Sequence, residues 1–148
     1  MPLGDSISVI GRDFFRLTHV ENTGVAFGIQ AGGALFLTIF SALASMILVY
    51  VLLKSLHSES ARQPRLMEFA LALILGGALG NLVDRSLFGH VTDFLDVDFP
   101  NFIMDRWPVF NVADSAVSVG VTLWCVFLVF FAKTKTFSAS PMKRTEQR

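Results

Sequence analysis

Three stretches of this chain are long and apolar enough to cross about 30 Å of hydrocarbon, which confines it to the folds a bilayer permits. GALFLTIFSALASMILVYVLL (33–53) contains no charge. LMEFALALILGGALGNLV (66–83) carries Glu68 at its start and a polar cluster of Asn81, Asp84 and Arg85 at or just past its end. ADSAVSVGVTLWCVFLVFFA (113–132) has one charge, Asp114, in its first turn. The expected fold is mostly α: a polytopic membrane protein with transmembrane helices over 33–53, 66–88 and 112–132. Composition agrees, because 16% charged residues are too few to coat a water-soluble domain of 148 residues that is 53% hydrophobic. A single membrane-embedded domain over 1–148 is expected.

Orientation follows Lys and Arg. The 54–65 connector holds Lys54, Arg62 and Arg65, and the polar tail over 133–148 holds Lys133, Lys135, Lys143, Arg144 and Arg148. These mark the cytoplasmic side. The 86–111 connector holds Asp93, Asp96, Asp98 and Asp105 against a lone Arg106, and belongs outside. Trp107 and the Phe residues of FPNFIMDRWPVF then sit at the outer interface, where aromatic rings are favoured.

With three spans, the first 30 residues also lie outside. A chain that exports its own N-terminus without a preceding span is unusual, so a further helix upstream is expected. Within 6–30, SISVI-GRD-FFRLTHV reads as two β-branched and aromatic runs around a Gly-containing turn, a hairpin, and NTGVAFG as a loop entering the first span. A net charge of zero offers no basic face for nucleic acid. The single cysteine, Cys125, excludes an intrachain disulfide or a Cys-based metal site. No basic stretch followed by a short apolar core and a small-residue cleavage site opens the sequence, so a removable signal peptide is not expected.

The polar residues concentrate at one depth. At ~1.5 Å of rise per residue, Asp84 lies roughly 27 Å along from Leu66, near the outer edge of the membrane. Asp114 begins the next span at that edge. Asp93 follows Asp84 closely, in VTDFLDVDF, which has partial strand-like alternation. Two like charges within a few ångströms do not both ionise cheaply, so such a pair titrates as a unit and shares a proton. One member then takes a proton from water while the other donates to a carbonyl oxygen. Arg85 beside Asp84 favours an ion pair that, with Asn81, fastens helix ends together. That leaves Asp93 and Asp114 as the dyad, although on physics alone the choice among the three carboxylates stays nearly open. Asp114 in a first turn also has an ordinary reading as a helix cap.

NTGVAFG, GNLVDRSLFGHVTDF and FNVADSAVSVG resemble the three signature stretches of the bacterial lipoprotein signal peptidase (signal peptidase II) family, and the resemblance runs from about Pro2 to Phe131. It implies an aspartic endopeptidase of the bacterial cytoplasmic (inner) membrane, with its active site at the outer face. Such an enzyme removes signal peptides from diacylated prolipoproteins just before the lipid-modified cysteine. By the same resemblance Asp93 and Asp114 are the catalytic aspartates, and Asn22, Asn81, Arg85 and Asn111 are polar residues around the site. The hairpin matches a β-cradle on the membrane surface. The family has four transmembrane helices, and this chain begins where the first has ended. Substrate and membrane lipids are the expected partners, a monomer is expected, and the mechanism requires neither metal nor cofactor.

Other features have plainer readings. Gly76 and Gly80, four apart, suit a helix-packing surface; His90 reads as a turn or interface residue; Cys125 reads as a small apolar filler. Asp96, Asp98 and Asp105 read as solvated loop charges. A transporter or channel subunit is the alternative function, since intramembrane acids often mark ion paths. It requires polar groups through the midplane, whereas here they lie at the span ends. A scaffold would be indifferent to loss of the aspartates.

Overall fold

A computed structural model describes residues 1–26, 29–30, 33–57, 64–98 and 106–131. Arg62, Asp105 and the 133–148 tail, named above from sequence, lie outside the described residues. The elements run β1 (Ser6–Ile10), β2 (Phe15–Asn22), β3 (Val25–Ala26), β4 (Ile29–Gln30), α1 (Gly33–His57), α2 (Arg65–Phe88), β5 (Val91–Val97) and α3 (Val112–Phe131). The three helices are long and apolar enough to cross a membrane, and the chain is a multi-pass membrane protein.

α1 extends beyond the expected span to include Lys54 and His57 in its last turn, where cations complement the helix dipole. Ser55 at that end donates to Glu68 of α2 (3.2 Å), joining the two helices opposite the acidic end of the molecule. α2 stops at Gly89, whose left-handed backbone (φ 77°) lets its N–H return to the Arg85 carbonyl at 3.0 Å. Large apolar side chains such as Leu35, Phe40, Tyr50, Val129 and Phe130 stay exposed. In water that surface would aggregate; in hydrocarbon it faces solvent of its own kind.

α2 packs against both other helices, and its Met67, Ala70, Leu71 and Ile74 form most of the buried apolar core. Lipid supplies no hydrophobic drive for helix association, so close backbone approach has to supply contact instead. Of the expected pair, Gly80 packs on α3, but Gly77 stands there in place of Gly76. Gly77 and Gly80 face α3, while a Cβ on Gly76 would meet nothing within 4 Å. A Cβ on Gly77 would overlap the Ala113 carbonyl oxygen and the Val117 side chain; one on Gly120 would come within 2.7 Å of the Ala70 carbonyl. Gly77→Val should therefore force α2 and α3 apart, costing about 1–3 kcal/mol or more. Gly76→Val should leave the packing intact. Thermal denaturation of the two purified variants in detergent distinguishes the positions.

The expected hairpin forms, and β5 joins it as a third antiparallel strand in the order β1-β2-β5. Within the NTGVAFG segment, expected as loop, Val25 and Ala26 instead pair with Gln30 and Ile29, consistent with the strand preference of Val and Ile. On its other side β5 bonds to Phe110: the N–H groups of Phe94 and Leu95 donate to its carbonyl, and its own N–H donates to Leu95. Phe110 lies just before α3. One strand thus stands between the hairpin and the start of the third helix.

Candidate active site

Asp93 on β5 is 2% exposed, so both its oxygens need donors. Asn22, the last residue of β2, donates through Nδ2 to Oδ2 at 2.9 Å. Asn111 Nδ2 donates to Oδ1 at 2.8 Å. The orientation of Asn22 is itself held, because its Oδ1 accepts the Gly24 N–H at 2.9 Å. Gly24 has φ 112°, a backbone conformation that strains any side chain, and a Cβ there would have to displace the end of the Leu37 side chain.

Asp114 sits three residues after Asn111, and the two form a reciprocal cap on α3. Asn111 Oδ1 accepts the Asp114 N–H (3.0 Å), and Asp114 Oδ2 accepts the Asn111 N–H (3.2 Å). The Asn111 carbonyl accepts the Ser115 N–H at 3.2 Å, beginning the helical bonding. The plain reading of Asp114 as a first-turn cap is therefore satisfied. Its other oxygen is turned to α2, where Asn81 Nδ2 donates to Oδ1 at 2.8 Å. Asn111 Nδ2 also donates to Asn81 Oδ1 at 3.1 Å. Two amides, Asn111 and Asn81, thus link the carboxylates of Asp93 and Asp114.

Burial raises Asp93 above the ordinary carboxylate value. The Asn22 and Asn111 hydrogen bonds oppose this, the Asp114 charge adds to it and the Arg85 charge subtracts from it; the balance remains upward. Because its folded value is raised, Asp93 contributes stability fully below 3.8, and that contribution is lost as pH rises through the folded value.

The expected Asp84–Arg85 ion pair is not made among the described residues. Successive helical residues point about 100° apart, so neighbours in sequence do not face one another. Asp84 Oδ2 accepts the Thr92 N–H at 3.2 Å and fastens the end of α2 to the start of β5. Arg85 makes a long 3.4 Å bond to the Asn81 carbonyl, and its buried Nε has no hydrogen-bond partner among the described residues. The guanidinium is thus largely uncommitted while its charge reaches Asp93.

Asp96 is a second correction. Expected in solvent, it is 2% exposed. Thr18 Oγ1 donates to its Oδ2 at 2.6 Å, Arg16 Nε to the same oxygen at 3.2 Å, and Arg106 Nε to Oδ1. Burial raises this carboxyl, but the Thr18 and Arg106 hydrogen bonds and the two guanidinium charges outweigh it, and the balance is downward. Its contribution to stability is present above 3.8 and is lost as pH falls through the lower folded value. Two unassigned arginines around an acid-rich strand were the available signal, but their separation in sequence hid the pairing. His90 lies on the rim, 3.8 Å from Glu21. Cys125 is exposed on the helix surface rather than packed as filler.

The signal peptidase (SPase) II family model matches residues 1–130. The lipoprotein signal peptidase of Desulforapulum autotrophicum is 41% identical over 128 residues, covering 86% of this chain and 76% of that protein. That of Syntrophus aciditrophicus is 40% identical over 139 residues, covering 90% and 81%. Two bacterial membrane enzymes solved by the in meso method share the fold. One has a TM-score of 0.72 at 34% identity, covering 97% of this chain and 80% of that one. The other has a TM-score of 0.71 at 36% identity, covering 88% and 79%.

Proposed function

The chain belongs to the signal peptidase II family, and from that membership we propose that it is an aspartic endopeptidase that cleaves signal peptides from bacterial prolipoproteins, N-terminal to the diacylglyceryl-modified cysteine. The observation that carries the mechanism is the Asn111–Asn81 bridge between Asp93 and Asp114 at the start of a membrane-spanning helix.

Asp93, buried and raised, holds the proton that the pair shares. Asp114, at the start of α3, is the member of the pair that takes the proton from water. A water between them gives a proton to Asp114 as its oxygen bonds to the scissile carbonyl carbon. Asp93 donates its proton to the carbonyl oxygen, forming a neutral tetrahedral diol. In collapse, Asp93 recovers a proton from a diol hydroxyl, Asp114 protonates the departing nitrogen, and the C–N bond breaks. Arg85, with Nε uncommitted among the described residues, donates to a backbone carbonyl of the bound signal peptide. Asn22, Asn81 and Asn111 orient the carboxylates, and Asp84 holds α2 to β5.

Lys54 and Arg65 lie at the helix ends remote from the dyad, which supports a cytoplasmic location for those ends and an outer-face location for the site. A dyad at that boundary meets a scissile bond whose neighbouring acyl chains remain in lipid. Reconstitution into vesicles and assay of a diacylated prolipoprotein against its unacylated form tests the assignment. Cleavage of the diacylated form before its cysteine is expected, and the absence of cleavage refutes it.

The pH profile gives a further expectation. Activity is lost as pH rises through the value at which the pair gives up its shared proton. The Asn22 hydrogen bond lowers Asp93, so Asn22→Ala should move that alkaline limb of kcat/KM to higher pH. A limb unchanged or displaced downward would contradict the role given to Asp93.

A further inference from the structure

Between Asp93 and Asp96 the β2–β5 ladder carries one extra residue. Leu17 stands opposite Leu95 and Val20 opposite Asp93, so Thr18 and His19 together face Phe94. Such a bulge shifts everything beyond it by one position, and in a strand a one-residue shift exchanges the two faces. Beyond the bulge, Asn22 stands opposite Val91, on the face that Asp93 shares by the two-residue period of β5. Continuing the Leu17–Leu95 register without the bulge would set Asn22 opposite His90, on the other face. The bulge is therefore what allows Asn22 to donate to Asp93 at 2.9 Å.

Resting on the peptidase reading above, we propose that Asp96, Thr18, Arg16 and Arg106 are positioning residues that pin this bulge and so aim Asn22 and Asp93 at the reacting bond. Thr18 is a bulge residue, and its hydroxyl is the donor in the 2.6 Å bond to Asp96. Arg16 holds the same carboxylate from just before the bulge and bonds Asp13 in the hairpin turn at 3.1 Å. Arg106 holds it from the segment that leads through Phe110 to Asn111, and also donates to the Asp13 carbonyl at 2.9 Å. A single buried carboxylate thus ties together the strand bearing Asn22, the strand bearing Asp93 and the segment entering α3. None of the four residues bonds Asp93, Asp114 or the amides between them among the described contacts, so any effect on chemistry passes through the backbone.

The test uses the full chain in vesicles with a diacylated prolipoprotein. Thr18→Val keeps the shape and removes the donor; Thr18→Ser keeps the donor. Thr18→Val should lower kcat by roughly 10- to 100-fold, the scale of a sub-ångström to 1 Å misplacement, with KM changed less than about 3-fold. It should shift the alkaline limb upward as Asn22→Ala does, and Thr18→Ser should recover both. The Thr18→Val/Asn22→Ala double variant should be no slower than the slower single variant, because both act on one contact. If Thr18→Val yields no monodisperse protein, Arg106→Gln is read by the same kcat, pH limb and double-variant measurements. Wild-type kcat and pH limb in the folded variant, or fully multiplicative effects with Asn22→Ala, overturn the positioning role. Asp93→Asn separates the two readings. If Asp93→Asn is inactive while Thr18→Val is normal, the bulge proposal alone falls; if Asp93→Asn is active, the peptidase mechanism falls.

Discussion

Asp93→Asn and Asp114→Asn should each lower the cleavage rate by about 10³-fold or more, while the protein still inserts and folds; general acid–base groups contribute on this scale singly, and a dyad loses both functions when either member is changed. The hydrogen bonds explain why an isostere does not suffice. Asp93 accepts from two amide NH₂ groups, Asn22 and Asn111. An amide in its place offers one acceptor and one NH₂, so one bond becomes a donor facing a donor. Asn22 relieves this only by rotating its amide, which would forfeit the Gly24 N–H bond to its Oδ1. At Asp114 the same change sets an NH₂ against either the Asn81 amide or the Asn111 N–H. Single-turnover cleavage of purified variants, with thermal denaturation as the fold control, measures both. Wild-type cleavage by either variant contradicts the dyad.

Asn111→Ala should have the second-largest effect, because it acts on fold and site together. The side chain caps α3 and is 5% exposed. Loss of the cap costs about 1 kcal/mol. Leaving Asp93 Oδ1 without its donor costs about 1–3 kcal/mol more. The thermal midpoint should fall, and kcat should drop about 100-fold as the carboxylates lose their common bridge. Asn111→Asp divides the two contributions. Aspartate also caps helices, so stability through the cap persists, but a third acid now stands where Asp93 had a donor. Activity should fall as far as in Asn111→Ala while the cap's share of stability is kept. Equal stability losses in the two variants would show that the cap interaction is not what Asn111 supplies.

Much of this arrangement was legible before any coordinates. Uninterrupted apolar runs bounded by charges reveal membrane helices because length and composition suffice, and α1, α2 and α3 lie where the runs do. Helix rise and closeness in sequence brought Asp84, Asp93 and Asp114 to one depth, whereas Asn22 and Asn111 were reached only through the family resemblance. Pairing across strands was less accessible. The Arg16–Asp96 contact depends on the register of two strands far apart in sequence and the Arg106–Asp96 contact on the return of the chain past Phe110, and neither leaves a local pattern. Adjacency misled at Asp84 and Arg85, where helical rotation separates sequence neighbours. The four-residue spacing of Gly76 and Gly80 was half right: Gly80 faces α3, but its partner there is Gly77.

The reciprocal cap at Asn111 and Asp114 has a bearing on biogenesis. Asp114, the acid of the proposed dyad, is brought to its place by the winding of the first turn of α3, because its carboxylate and N–H close the cap with Asn111. A chain whose third segment is not yet coiled cannot close this cap, so on the proposed reading the dyad is complete only once α3 has formed.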